Sequence, residues 1–159
     1  MKSILTSLCV VLALFMLATP AMAQQPTDVD MDILAEKIKA DKRLLVSMNM
    51  ELTDQESKDF WPLYERYQRE LQVGNAQLGS LILEYAEAYN KGPVANDIAA
   101  KLIREWMSLE AKELKLKIAY MAKIGKVLPA FKTVRYFQIE NKIRAIIKFG
   151  LAAEIPLMH

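Results

Sequence analysis

The chain has 159 residues, with 21 Lys and Arg against 19 Asp and Glu and a formal net charge of +2. Its one cysteine, Cys9, lies in an N-terminal apolar run expected to be removed, which excludes disulfides, thiol catalysis and thiolate metal sites from what remains. Only 5 Gly and 6 Pro punctuate the sequence, and no run of alternating β-branched residues occurs, so helices are the predicted class.

Lys2, the apolar run over 4–18, Pro20 and the small residues at 21 and 23 predict a secretory signal peptide over 1–23, cut before Gln24. The run is shorter than the about 20 apolar residues of a spanning helix. Export to the periplasm without stable membrane insertion is expected, with 24–159 as a single all-helical domain. Residues 24–96 carry 8 basic and 13 acidic side chains, and 97–159 carry 12 and 6. Such halves attract each other, or two copies pair head to tail. Nucleic acid is not an expected partner for the basic half of an exported chain.

A first helix is predicted over 29–48, capped by Asp28 or Asp30, with Leu34, Ile38, Leu45 and Met48 as its apolar stripe. After a break at 49–52, a second runs from Thr53 to about Tyr89. Its positions Phe60, Tyr64, Tyr67, Leu71, Gly74, Leu78, Leu81 and Tyr85 alternate steps of four and three, a seam that packs lengthwise on another helix. Glu65–Arg69 and Arg66–Glu70 are spaced to pair on its other side. Pro62 predicts a kink, and Gly74 and Gly79 are candidates for close helix approach. In "NKGPVAND" (90–97), Gly92 ends that helix, Pro93 prevents its continuation and Asn96 is the expected cap of the next.

The third helix is predicted over 97–127. Ile98, Leu102, Trp106, Leu109 and Leu116 line one side, and Ile103, Met107, Leu114, Ile118 and Met121 lie beside them. An arc that broad predicts contact with more than one helix. Leu128-Pro129 breaks it, and a fourth helix is predicted over 131–155. Together these elements predict an elongated antiparallel four-helix hairpin bundle.

Thr53 and Glu56 have the spacing of a capping box, with each side chain serving the other's backbone amide, and Asp54 places negative charge at the positive end of the dipole. "LTDQE" at the head of a long helix, a signal peptide and an all-α chain of this size also resemble the LTXXQ-motif periplasmic proteins, the Spy/CpxP-like family. Leu52, Thr53 and Glu56 carry the match, with Glu where the family has Gln. "FWPLYERYQRE" and "VRYFQIENKIRAII" resemble stretches of LTXXQ-like exported proteins. A second motif copy is expected near the fourth helix, where "LPAFK" (128–132) matches only at Leu128. The resemblance implies a cradle-shaped homodimer. It implies either an ATP-independent chaperone binding unfolded or partly folded envelope proteins, or a dedicated regulatory partner of one membrane stress sensor, a sensor kinase or anti-sigma factor. Some members of the family also bind metals.

Lys112, Lys115, Lys117, Lys123, Lys126 and Lys132 form a basic set able to steer acidic partners, with exposed apolar residues nearby to hold them. Phe60, Tyr64 and Tyr67 are expected in the core. Trp61, off the seam, is the aromatic candidate for partner contact. No metal site is expected, because the one histidine is His159 and Met31, Met48, Met50, Met107, Met121 and Met158 form no cluster of soft ligands. No cofactor and no enzyme activity are expected either, for lack of a phosphate loop or nucleophile signature. Glu105, Glu110 and Glu113 have Lys101 and Lys117 at helical spacing as partners. In "QIEN" (138–141), Gln138 and Asn141 are expected to be buried and hydrogen-bonded, fixing helix register.

Overall fold

A computed structural model describes residues 40–158. The expected signal peptide with Cys9, the start of the first helix with Asp28, Asp30, Met31, Leu34 and Ile38, and His159 lie outside the described residues. Among the described residues there are four helices and no strand: α1 over 40–50, α2 over Asp54–Asn90, α3 over Asn96–Ile124 and α4 over Ala130–Glu154. The described residues form an all-α helical bundle.

The α2 seam forms the core. Phe60, Tyr64, Tyr67, Leu71 and Leu81 are buried, and Gly74, Leu78 and Tyr85 are half-buried. Val46 and Met50 of α1, Tyr120 and Ile124 of α3, Leu128, and Tyr136 and Phe137 of α4 complete one apolar cluster with the first four of these. Most of its rings meet edge to face, as aromatic quadrupoles favour: Phe60–Tyr136 centroids lie 5.1 Å apart at 81°, while Tyr67 sits 4.9 Å from Tyr120 in a tilted arrangement at 35°. All four helices meet at this end. Beyond it, α2 and α3 bury only Leu81 and Leu102.

The turn between α1 and α2 is sharp because Glu51 takes a left-handed conformation, φ 47°. Lys132 of α4 donates to its carbonyl at 2.7 Å, and Arg135 reaches its carboxylate at 3.5 Å. The capping box forms as the spacing predicts, with Thr53 N donating to Glu56 Oε2 at 2.8 Å and Glu56 N to Thr53 Oγ1 at 3.3 Å. α2 runs on through Pro62, and Arg66 Nε donates to the Pro62 carbonyl at 3.3 Å.

Several local expectations are corrected. Ala95, not Asn96, is the N-cap of α3 and makes no side-chain cap bond; α3 stops at Ile124, with Gly125 as its C-cap. The i,i+4 pairs of α2 give way to partners on other helices: Glu65 accepts from Arg43 at 2.6 Å and Glu70 from Tyr120 at 2.5 Å. Gly74 and Gly79 mediate no close approach, because a Cβ at either meets nothing within 4 Å. Gly74→Ala and Gly79→Ala are therefore each expected to stabilise the chain by up to about 1 kcal/mol, read as a raised midpoint in urea unfolding. Gly92 differs: at φ 124° it occupies a turn conformation that disfavours a side chain.

Candidate functional site

The α3 helix carries apolar residues on two faces, and among the described residues only one finds a partner. Leu102, Tyr120 and Ile124 are buried, with Leu109 and Leu116 half-buried. The second row, Ile103, Met107, Leu114, Ile118 and Met121, remains exposed at 50%, 58%, 58%, 53% and 45%. It extends about 27 Å at 1.5 Å per residue. Trp106, 51% exposed, stands at its edge. The breadth of the apolar arc thus reflects an open face rather than a second packed helix.

The reason lies in how α4 meets α3. Beyond the shared apolar cluster, they meet through long polar side chains: Lys117 donates to Asn141, Arg144 pairs with Glu113, and Lys148 Nζ lies 2.7 Å from Glu110 Oε1. The Glu110 carboxyl is held below its usual range by that lysine. The partners of Glu110 and Glu113 therefore come from α4 rather than from Lys101 and Lys117. Lys101 instead binds Glu84 of α2 at 2.7 Å and lies 3.8 Å from Glu105.

The six lysines do not form one surface. Lys112 and Lys115 are exposed, with no ion pair or hydrogen bond among the described residues; Lys112 lines the groove with α2, beside Ser80 and Glu84, and Lys115 lies on the flank of the apolar row. Arg104 shares that condition and that flank. Lys117 faces the opposite flank, toward α4. The Lys123 ammonium stands 4.3 Å over the Tyr120 ring. Burial, then the bond to Glu70, pushes the Tyr120 hydroxyl up to about 12. Lys126 is exposed in the turn after α3.

Lys132 is drawn into the fold rather than left free on the surface. Its side chain is 12% exposed and its ammonium lies 2.6 Å from Glu56, tying α4 to the capping box. That bond, with the Thr53 amide, holds the Glu56 carboxyl below its ordinary value of 4.5. Glu56 therefore contributes stability that is present above its unfolded pKa and lost as pH falls through the lower folded value. Glu56→Gln, which a capping box accepts, is expected to flatten the decline of the melting temperature between about pH 5 and pH 2.

Trp61 is half-buried rather than open. Its ring packs edge-on to Phe60 and Tyr64 at 5.2 Å each, with the Arg43 guanidinium 4.4 Å above it. Its contacts are with α1 and α2, not with the α3 lysines.

The polar residue that "QIEN" buries is Glu140, while Gln138 and Asn141 are exposed. Glu140 Oε2 accepts from Lys42 Nζ at 2.8 Å, and Oε1 accepts from Gln68 Nε2 at 2.9 Å. Gln68 Oε1 accepts from Lys42 at 2.8 Å, and Gln68 Nε2 also lies 3.3 Å from the Tyr136 hydroxyl. Burial first, and the Glu140 charge second, raise the Tyr64, Tyr67 and Tyr136 hydroxyls. This closed network joins α1, α2 and α4, with every buried polar side-chain atom of the described residues satisfied. Both Glu140 carboxylate oxygens are engaged, so the network ties the three helices together.

Among the described residues, no group of three or more His, Cys, Asp or Glu has metal-binding placement. No protein-family model, no curated protein and no solved structure matches the chain.

Proposed function

We propose that the chain is an LTXXQ-like, Spy/CpxP-like periplasmic protein that holds unfolded or partly folded envelope proteins without ATP. In this reading it is exported through a cleaved signal peptide and acts as an elongated antiparallel hairpin bundle in a cradle-shaped homodimer. The observation that carries the reading is the open apolar row Ile103, Met107, Leu114, Ile118 and Met121, flanked by Arg104 and Lys115. Non-native chains expose apolar segments, and desolvating them against such a row is favourable by roughly 25 cal/mol per Å². The unpaired cations on the flank raise the encounter rate with acidic clients. An apolar row of this length favours many clients over one dedicated sensor, whose recognition calls for a narrower, charge-matched surface.

Light scattering from an unfolding model client, with and without residues 24–159 at two salt concentrations, tests the reading. Suppression near stoichiometric amounts, weakened by salt, is the expected result. A folded helical protein that leaves scattering unchanged at both salt concentrations overturns it.

A further inference from the structure

α4 has apolar residues on every side, and a helix of that kind is normally buried all round. Here it buries Thr133, Tyr136, Phe137 and Glu140 inward. Opposite them, at steps of three and four, stand Phe131, Arg135, Gln138, Lys142, Ile146 and Phe149. Phe131, Ile146 and Phe149 are 61%, 73% and 79% exposed. Both charges of this row are basic. The acids of α4 are Glu140, buried and paired with Lys42, and Glu154, in its last turn. Arg135 lies 3.5 Å from Glu51, with its guanidinium 5.7 Å from the Phe131 ring centroid, and Lys142 has no partner among the described residues.

We propose that this outward face of α4 rests on an anionic lipid surface. Charge complementarity and layout select that occupant. Helices that lie in a bilayer interface put Phe, Ile and Leu among the acyl chains and Lys and Arg at the headgroups. Each cation near an anionic leaflet adds to the attraction. Phe131 and Phe149 lie about 27 Å apart along the helix, at 1.5 Å per residue, with the cations between them. A protein partner concentrates its anchors in one central pocket, whereas a plane engages both ends of such a row at once. No helix of the described residues is long and apolar enough to cross a membrane, so the contact is at the surface. This face is on α4 and the client row is on α3, so the two proposals stand or fall separately.

The test is co-sedimentation of residues 24–159, which retain all of 40–158 but lack the apolar run over 4–18. The vesicles are phosphatidylcholine alone or with about one-third phosphatidylglycerol. Sedimentation with the anionic vesicles is expected to be at least about tenfold stronger than with the neutral ones. Lys142→Gln is expected to weaken it about fivefold, and the Phe131→Ser, Ile146→Ser, Phe149→Ser variant to abolish it with the helical content intact. Leu114→Ser with Ile118→Ser, on the client row, is expected to sediment like the unsubstituted chain. Equal partition onto both vesicle types, or none onto either, overturns the proposal, as does a triple variant that still sediments. A triple variant that changes from dimer to monomer in sedimentation velocity assigns the face to a second copy instead, and also overturns it.

Discussion

Glu140→Ala is expected to lower the stability of the chain by about 3–5 kcal/mol, the usual cost of removing one partner of a buried ion pair. The Glu140 side chain is 6% exposed and that of Lys42 18%, in a niche shared with Gln68 and Tyr136. Removing the carboxylate deprives Lys42 and the Gln68 amide of an acceptor at once, and leaves a largely buried ammonium without its counter-charge. The pair itself adds much less, because its desolvation offsets its attraction. Lys42→Met combined with Glu140→Leu is therefore expected to recover most of the loss. Urea unfolding of Lys42→Met, of Glu140→Leu and of the double variant measures the coupling. A loss below about 1 kcal/mol for Glu140→Ala would show that the niche is wet and the network dispensable.

Phe60→Ala is expected to cost a similar 3–5 kcal/mol by a different route, the loss of buried area plus the cavity left behind. Phe60 is fully buried and touches three other rings, with centroids at 5.2 Å from Trp61, 6.0 Å from Tyr64 and 5.1 Å from Tyr136. Phe149→Ala, the same chemical change at a site 79% exposed, is expected to stay within about 0.5 kcal/mol of the unsubstituted chain. Equal effects of the two would mean that the core is not where the aromatic cluster puts it.

The contrast between these phenylalanines also marks where the sequence was legible. On α2 apolar residues recur at alternating steps of four and three over eight positions, so one face is selected and Phe60, Tyr64, Tyr67 and Leu71 are readable as core. On α4 apolar residues occupy every side, so periodicity cannot separate Phe137, buried, from Phe149, open. The same ambiguity misassigned "QIEN". Gln138, Glu140 and Asn141 are all polar, and Glu140 is drawn inward by Lys42, 98 positions away, and Gln68, 72 away. Lys132 was grouped with the free lysines because its partner Glu56 lies 76 positions earlier. Local spacing sees pairs within one turn of helix, whereas Glu110, Glu113 and Glu65 are satisfied across helices. The five exposed residues of the α3 row were visible as apolar. What stayed hidden was that α4 would meet α3 through charged side chains and leave that row open.

The most direct measurement compares two equally apolar substitutions in the client light-scattering experiment. One is Leu114→Ser with Ile118→Ser on α3; the other is Phe131→Ser with Phe149→Ser on α4. If the α3 row holds non-native chains, the first variant loses most of the suppression while remaining folded, and the second keeps it. Suppression that survives the α3 substitutions, or that fails only with those on α4, contradicts the assignment of client binding to α3.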